Sequence, residues 1–194
     1  LRVNPRAIAT QAAFLLVAAL MVGALVHFVL ILTVPLVAER DAYARLAAMG
    51  PVDATIALPP AGPAEHTFRY EDPAVASAFC RFDLTQGPIR VSEPIGRAGF
   101  ASLSFHSRRG AVFYALTDRA ATHGRMEAVL VTAAQLRALV AKDDEDNPSE
   151  DLRVVSPTSE GFVLTRAFSE TPSLYPRAAE QAKSLACVAE PTNK

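Results

Sequence analysis

The chain has 194 residues and a formal net charge of −1, from 19 Lys+Arg against 20 Asp+Glu. That balance, without a basic tract, excludes the electrostatic footprint of a nucleic-acid binder. Its two cysteines have no metal-like spacing and it has no Gly-rich phosphate loop, so no metal and no cofactor are expected.

From Ala7 to Ala38 there is no Asp, Glu, Lys or Arg. The most apolar part, Ala12–Val37, holds 26 residues. A membrane-crossing helix needs only ~20, so the excess predicts tilt or a last turn standing clear of the lipid around Pro35. Arg2 and Arg6 resemble the basic flank of a signal peptide. A signal h-region runs only ~7–15 residues, however, so the reading is a retained anchor in the lipid bilayer. Arg40 and Arg45 follow the helix and tie the local charge count. The basic flank and the cysteine pair favour a cytoplasmic N-terminus and an exported domain. Within the anchor, Ala19, Gly23 and His27 recur at i, i+4 and i+8 on one face. Small residues let another protein helix approach, and an intramembrane imidazole needs a partner, so this face predicts helix packing. Ligation of a haem or chlorophyll magnesium by His27 is chemically allowed, but one imidazole carries it less far than packing does.

Asp41–Met49 predicts a short helix stopped by Gly50-Pro51. Pro51, Pro59, Pro60 and Pro63 then mark an extended segment giving stiff reach from the bilayer. The segmentation is residues 1–11, a cytoplasmic tail; 12–38, the transmembrane helix; 39–65, a juxtamembrane helix and Pro-rich linker; and 66–190, a periplasmic domain.

In that domain, strands are predicted at Ala78–Leu84 and Ile89–Ser92. Phe100–His106 and Ala111–Thr117 form a hairpin through Ser107-Arg108-Arg109-Gly110. Another strand falls at Met126–Val131. Thr132–Lys142 reads as a helix, with Thr132 and Gln135 at capping-box spacing and a Leu136, Leu139, Val140 stripe. Leu152–Ser156 and Gly161–Phe168 read as a second hairpin, and Pro176–Val188 as a closing helix that carries Cys187. Hairpins with two or three helices predict α+β, mainly β, a small β-sandwich-like domain behind a single transmembrane helix.

Cys80 and Cys187 lie at opposite ends of this domain, and a disulfide closing a loop of over a hundred residues is preferred to a reactive thiol. Asp143–Asp151 has six carboxylates in nine residues. It lacks the EF-hand pattern, so it reads as a solvated, self-repelling loop. His66, His106 and His123 near Ser102, Ser104 and Ser107 have no spacing that orders a catalytic group, and His106 on the polar strand face reads as hydrogen-bonded or at the surface. Arg108 and Arg109 could contact an anion, but two arginines at a hairpin tip are usually solvated.

The block Cys80–Ala120, with CRFDL, GPIRV, RRG and FYALTDR, and the later GFVLTR and LACV, resembles a bacterial family catalogued as domain of unknown function 1254. The likeness is to its short, membrane-anchored proteobacterial members. It implies a β-rich extracytoplasmic fold and a companion domain, number 1214, supplied by another chain. It brings no catalytic residues. The expectation is an inner-membrane, single-pass accessory or assembly subunit of an envelope complex, non-catalytic. The alternative is an envelope enzyme or lipid- or sugar-binding module.

Overall fold

The computed structural model describes residues 5–37, 42–62, 68, 71–96, 99–143 and 149–190. The chain divides into two compact units, Leu1–Arg40 and Asp41–Lys194.

The first unit holds one helix, α1 (Pro5–Val37). Its segment Ile8–Val34, 27 residues of mean hydropathy 2.8, is wholly unburied in this chain. It is long and apolar enough to cross a membrane, a test that a signal sequence also passes. The helix runs on past Pro35 to Val37.

The second unit is a two-sheet sandwich. Its strands are β1 (Thr55–Ala57), β2 (Val75–Asp83), β3 (Ile89–Pro94), β4 (Ala101–Ser107), β5 (Val112–Thr117), β6 (Arg125–Val131), β7 (Arg153–Val155), β8 (Glu160–Phe168) and β9 (Ala186–Ala189). Sheet A has the order β1-β2-β8-β4-β5, and sheet B the order β7-β6-β3-β9. Every pairing is antiparallel except β6 with β7. Helices α2 (Ala42–Ala47), α3 (Ala133–Val140) and α4 (Tyr175–Lys183) complete the unit. This is the α+β, mainly-β sandwich that the strand pattern predicts.

Period-two alternation builds the core. Ile89 and Val91 from β3, Met126, Ala128 and Leu130 from β6, and Phe82, Leu103, Phe105 and Val163 from sheet A meet between the sheets. Cys80 on β2 and Cys187 on β9 form a disulfide across the two layers, with Cα atoms 6.5 Å apart. Where sheet B stops, α4 lays Ala178 and Ala182 against Ala76, Ala78 and Ala167 of sheet A. Methyl-sized side chains on both surfaces let helix and sheet approach closely.

Three expectations need correction. The segments 152–156 and 161–168 are not a hairpin: β7 lies in sheet B beside β6, and β8 is the middle strand of sheet A. A parallel β6–β7 pair needs a crossover, which α3 supplies. Its capping box is formed: Thr132 Oγ1 accepts from the Gln135 N–H at 3.2 Å, and Gln135 Oε1 from the Thr132 N–H at 2.8 Å. Second, Val140 is 56% exposed, so the α3 stripe does not extend to it. Third, the closing helix ends at Lys183, and Cys187 sits on β9, paired with Val91. The disulfide therefore fastens a strand, not the last helix, to β2.

The stretch marked extended by its prolines contributes β1 to the edge of sheet A, with Ile56 opposite Phe79. The short helix α2 packs Tyr43 and Leu46 on the outer face of the same sheet, over Phe79, Phe162 and Leu164. Phe79 is thus buried on the face opposite Cys80, which is why β2 does not alternate cleanly.

Candidate functional site

The outer face of sheet A carries the chemistry closest to a site. Strand alternation points Ser104 and His106 outward from β4, and both are only 8% exposed. Ser104 Oγ lies 2.9 Å from His106 Nε2, and His106 Nδ1 lies 3.1 Å from the Gly110 carbonyl oxygen. The imidazole stacks on Phe162, centroids 4.4 Å apart and planes at 8°. The hairpin turn fixes the carbonyl: Gly110 takes φ 82°, open to glycine, and its N–H donates to Ser107 O at 2.8 Å.

A carbonyl can only accept, so Nδ1 carries the proton and Nε2 is left to accept from Ser104. Ser104 has one hydroxyl proton and two acceptors, Nε2 and the Leu164 carbonyl at 3.2 Å. Burial pushes the His106 pKa below its ordinary value, the Gly110 carbonyl opposes that, and the Arg166 charge adds to it. A neutral histidine within hydrogen-bond reach of a serine, oriented by a third group, has the arrangement of a nucleophile and its base. Of the serines and histidines singled out in the sequence, these two are brought together. His123 lies in the turn before β6 with φ 52°, and His66 lies outside the described residues.

Beside this pair the hairpin tip meets α2. The Arg108 guanidinium lies 4.0 Å from the centroid of the Tyr43 ring and 3.6 Å from Glu160 Oε2. The Arg81 guanidinium approaches the same ring at 5.4 Å and donates to the Gly50 carbonyl at 2.7 Å. Tyr43 therefore pins α2 to the sheet through two cations. Arg109 is exposed at the tip. Further along the face a cavity of about 270 Å³ has a floor of Leu58, Phe68 and Leu164 and a rim that includes Ser77, Glu71 and Arg166.

On the outer face of sheet B, Arg90 donates to Glu190 at 2.6 Å, to Glu127 at 2.6 Å and to both oxygens of Asp151 at 2.9 Å. Its charged form is strongly favoured, chiefly through Asp151, and the Asp151 pKa is held down in turn. Arg153 forks onto Asp143 at 2.5 and 2.7 Å and holds its pKa down. The two ends of the acidic loop are thus ion-paired, a correction to a self-repelling segment; residues 144–148 lie outside the described residues. Among the described residues no three His, Cys, Asp or Glu converge as metal ligands.

Inside the sandwich, Glu93 is fully buried at the end of the inward row Ile89, Val91, Glu93. Gln181 of α4 donates to Glu93 Oε1 at 2.8 Å and to the Pro94 carbonyl at 2.6 Å. Glu93 Oε2 and, on the facing sheet, the hydroxyl of Thr165 make no hydrogen bond of full geometry. Burial raises the Glu93 pKa, while the nearby Thr165 hydroxyl and Gln181 pull it down. The sequence reading missed Glu93, although its place in the alternation of β3 marks it as inward. It also missed Arg90 and Tyr43, whose partners lie far away in the chain.

Ala19, Gly23 and His27 all belong to α1. A methyl group added at Gly23 meets nothing within 4 Å in this chain.

The family model described as "Protein of unknown function (DUF1254)" matches residues 56–189, more than half of the chain. The chain belongs to the DUF1254 family. No curated protein matches it. The DUF1254 chain is similar in fold to the VPA0106 protein of Vibrio parahaemolyticus, with TM-score 0.51 and 11% identity over 76% of this chain. A protein of Burkholderia cenocepacia aligns with TM-score 0.39 and 14% identity over 64% of this chain. The chain spans about a third of the length of each, 32% and 33%.

Proposed function

We propose that this chain is a single-pass inner-membrane protein whose C-terminal domain lies in the periplasm and acts as a non-catalytic accessory or assembly subunit of an envelope complex. The observation that carries the reading is α1. It is unburied and apolar from Ile8 to Val34, and His27 is the only ionisable side chain in that span. Leu, Val and Phe are satisfied by lipid from any side, whereas an imidazole needs a hydrogen-bond partner. Ala19 and Gly23 on the same face leave room for a second helix to supply it. The disulfide suits an oxidising compartment outside the cytoplasm. The best-placed polar groups of the domain also face one another: His106 with Ser104 and Gly110, Arg90 with three carboxylates, Arg108 with Tyr43 and Glu160. Candidate partners are another transmembrane protein and a separate chain carrying the companion domain.

The test is co-purification of the full-length chain in mild detergent, followed by mass spectrometry. Gly23→Ile should lose the partner and Leu25→Ile, off that face, should keep it. If both variants retain as much partner as the parent, the subunit reading fails. A phosphatase fused after Lys194 should be active only when exported, and an inactive fusion overturns the topology.

The Ser104–His106 pair favours a second reading, an envelope hydrolase. A fluorophosphonate probe that labels Ser104, and fails to label it in His106→Ala, would replace the first reading with this one.

A further inference from the structure

The cavity of about 270 Å³ on the outer face of sheet A has three chemically different parts. Leu58, Phe68, Val75 and Leu164 give it an apolar floor. Arg166 stands on β8, the middle strand, with Ser77 of β2 and Ser102 of β4 directly opposite it on either side. Strand alternation sends all three outward, in the row next to Phe79, Leu164 and Ser104. Among the described residues the Arg166 guanidinium makes no ion pair.

The third part is acidic. Asp72 lines the cavity from the turn that leads into β2. Its Oδ1 accepts the Ala74 N–H at 2.8 Å and its carbonyl accepts the Val75 N–H at 3.0 Å, so the carboxylate is held in place. Asp72 also makes no ion pair among the described residues. Glu71, one residue earlier, accepts the Phe68 N–H at 2.8 Å and fixes the aromatic wall.

A cation and a carboxylate that share one apolar cavity without meeting select a ligand carrying both opposite charges. An anion alone would be repelled by Asp72, and an amine alone by Arg166. A volume below the ~300–1,000 Å³ of drug-sized sites limits the ligand to a small molecule. A zwitterion with a short apolar side chain matches every part. Its carboxylate suits the planar fork of Arg166, its ammonium suits Asp72, and its side chain suits the floor.

We propose that this cavity binds a free apolar α-amino acid, its carboxylate on Arg166 beside Ser77, its ammonium on Asp72 and its side chain on Phe68 and Leu164. The binding does not depend on the partner proposed for α1.

The experiment is isothermal titration calorimetry of the full-length chain in mild detergent, with L-leucine as the probe. One molecule should bind per chain. Three analogues each lack one part: isocaproate the ammonium, isoamylamine the carboxylate, and glycine the apolar side chain. Each should bind at least ~10-fold more weakly, the effect of losing one charged hydrogen bond or one buried side chain. Arg166→Gln and Asp72→Asn should weaken leucine by at least ~10-fold as well. Asn keeps the acceptor for the Ala74 N–H, and both variants should melt with the parent, which separates lost binding from unfolding. The Arg166 charge holds the His106 pKa down, so leucine should raise that pKa in the parent and leave it unchanged in Arg166→Gln, as followed by the imidazole resonances. A parent that does not bind leucine at millimolar concentration overturns the proposal. So does an analogue that binds as tightly as leucine, a variant of Arg166 or Asp72 that keeps the parent's affinity, or a His106 pKa that leucine does not move.

Discussion

Replacing Glu93 with Gln should stabilise the domain, and more so as the pH rises. In the folded chain this carboxyl has no exposure, one oxygen on Gln181 and the other without a partner. Burial raises its pKa, so over a window starting at the ordinary value of 4.5 the native state holds a proton that the unfolded chain releases. The stabilising contribution of the neutral form is complete below 4.5 and is lost as the pH climbs through the folded value. Gln keeps the shape and the acceptor for Gln181, and offers an amide N–H toward Thr165 with no charge to desolvate. A buried, unsatisfied polar or charged group costs about 1–3 kcal/mol. The expected gain is of that order at pH 8 and near zero at pH 4. For a domain of this size that is a rise of ~2–4 °C in Tm per kcal/mol. Thermal melts of the full chain in detergent, followed by circular dichroism from pH 4 to 8, measure it. A constant difference between variant and parent across that range, or a loss of stability at pH 8, would refute the reasoning.

Three further outcomes are expected. Arg90→Met leaves Glu127, Asp151 and Glu190 facing one another, and because these groups are about a third exposed the loss should be only ~1–3 kcal/mol in urea unfolding, smaller in 1 M salt; an equal loss at high salt counts against the ion-pair account. His106 is held neutral by burial, so its stabilising contribution is present above the ordinary 6.5 and lost as the pH falls below it; the advantage of the parent over His106→Asn in Tm should shrink between pH 7 and 5, and a constant advantage would contradict the burial argument. Reducing the Cys80–Cys187 bond, which spans 107 residues, should cost ~4–5 kcal/mol by loop entropy, and a reduced protein with an unchanged urea midpoint would show that the cross-layer bond constrains little.

What the sequence makes legible here is what local physics decides. The charge-free run from Ala7 to Ala38 announces α1, the Thr132/Gln135 pair announces the start of α3, and Gly110 after two arginines announces the β4–β5 turn. What it hides is the choice of sheet. Leu152–Ser156 and Gly161–Phe168 look like neighbours, yet Ser156 donates to the Val131 carbonyl at 2.9 Å in sheet B while β8 inserts between β2 and β4. No residue in the short connection encodes that switch; it follows from which apolar face can be covered. Cys187 was misplaced for the same reason. The Ala-rich run before it favours helix, and only pairing with β3, a hundred residues upstream, turns it into strand. Of the candidate site, His106 and Ser104 were visible as outward neighbours on one strand. Their hydrogen bond and the Phe162 stack were not, because the stacking ring and the Leu164 carbonyl come from a distant part of the chain.

The position of β8 has a consequence for biogenesis. It is the central strand of sheet A, flanked by β2 and β4, but it is synthesised after the other four strands of that sheet. Until residues 160–168 are made, β2 and the β4–β5 hairpin have no strand between them, and their apolar inner faces wait without a sheet. Folding of this domain is therefore bound to be late, dominated by pairings of long sequence separation, and slow compared with its size. A nascent chain presents open strand edges for that whole interval, the state most prone to aggregate and most in need of a holding chaperone.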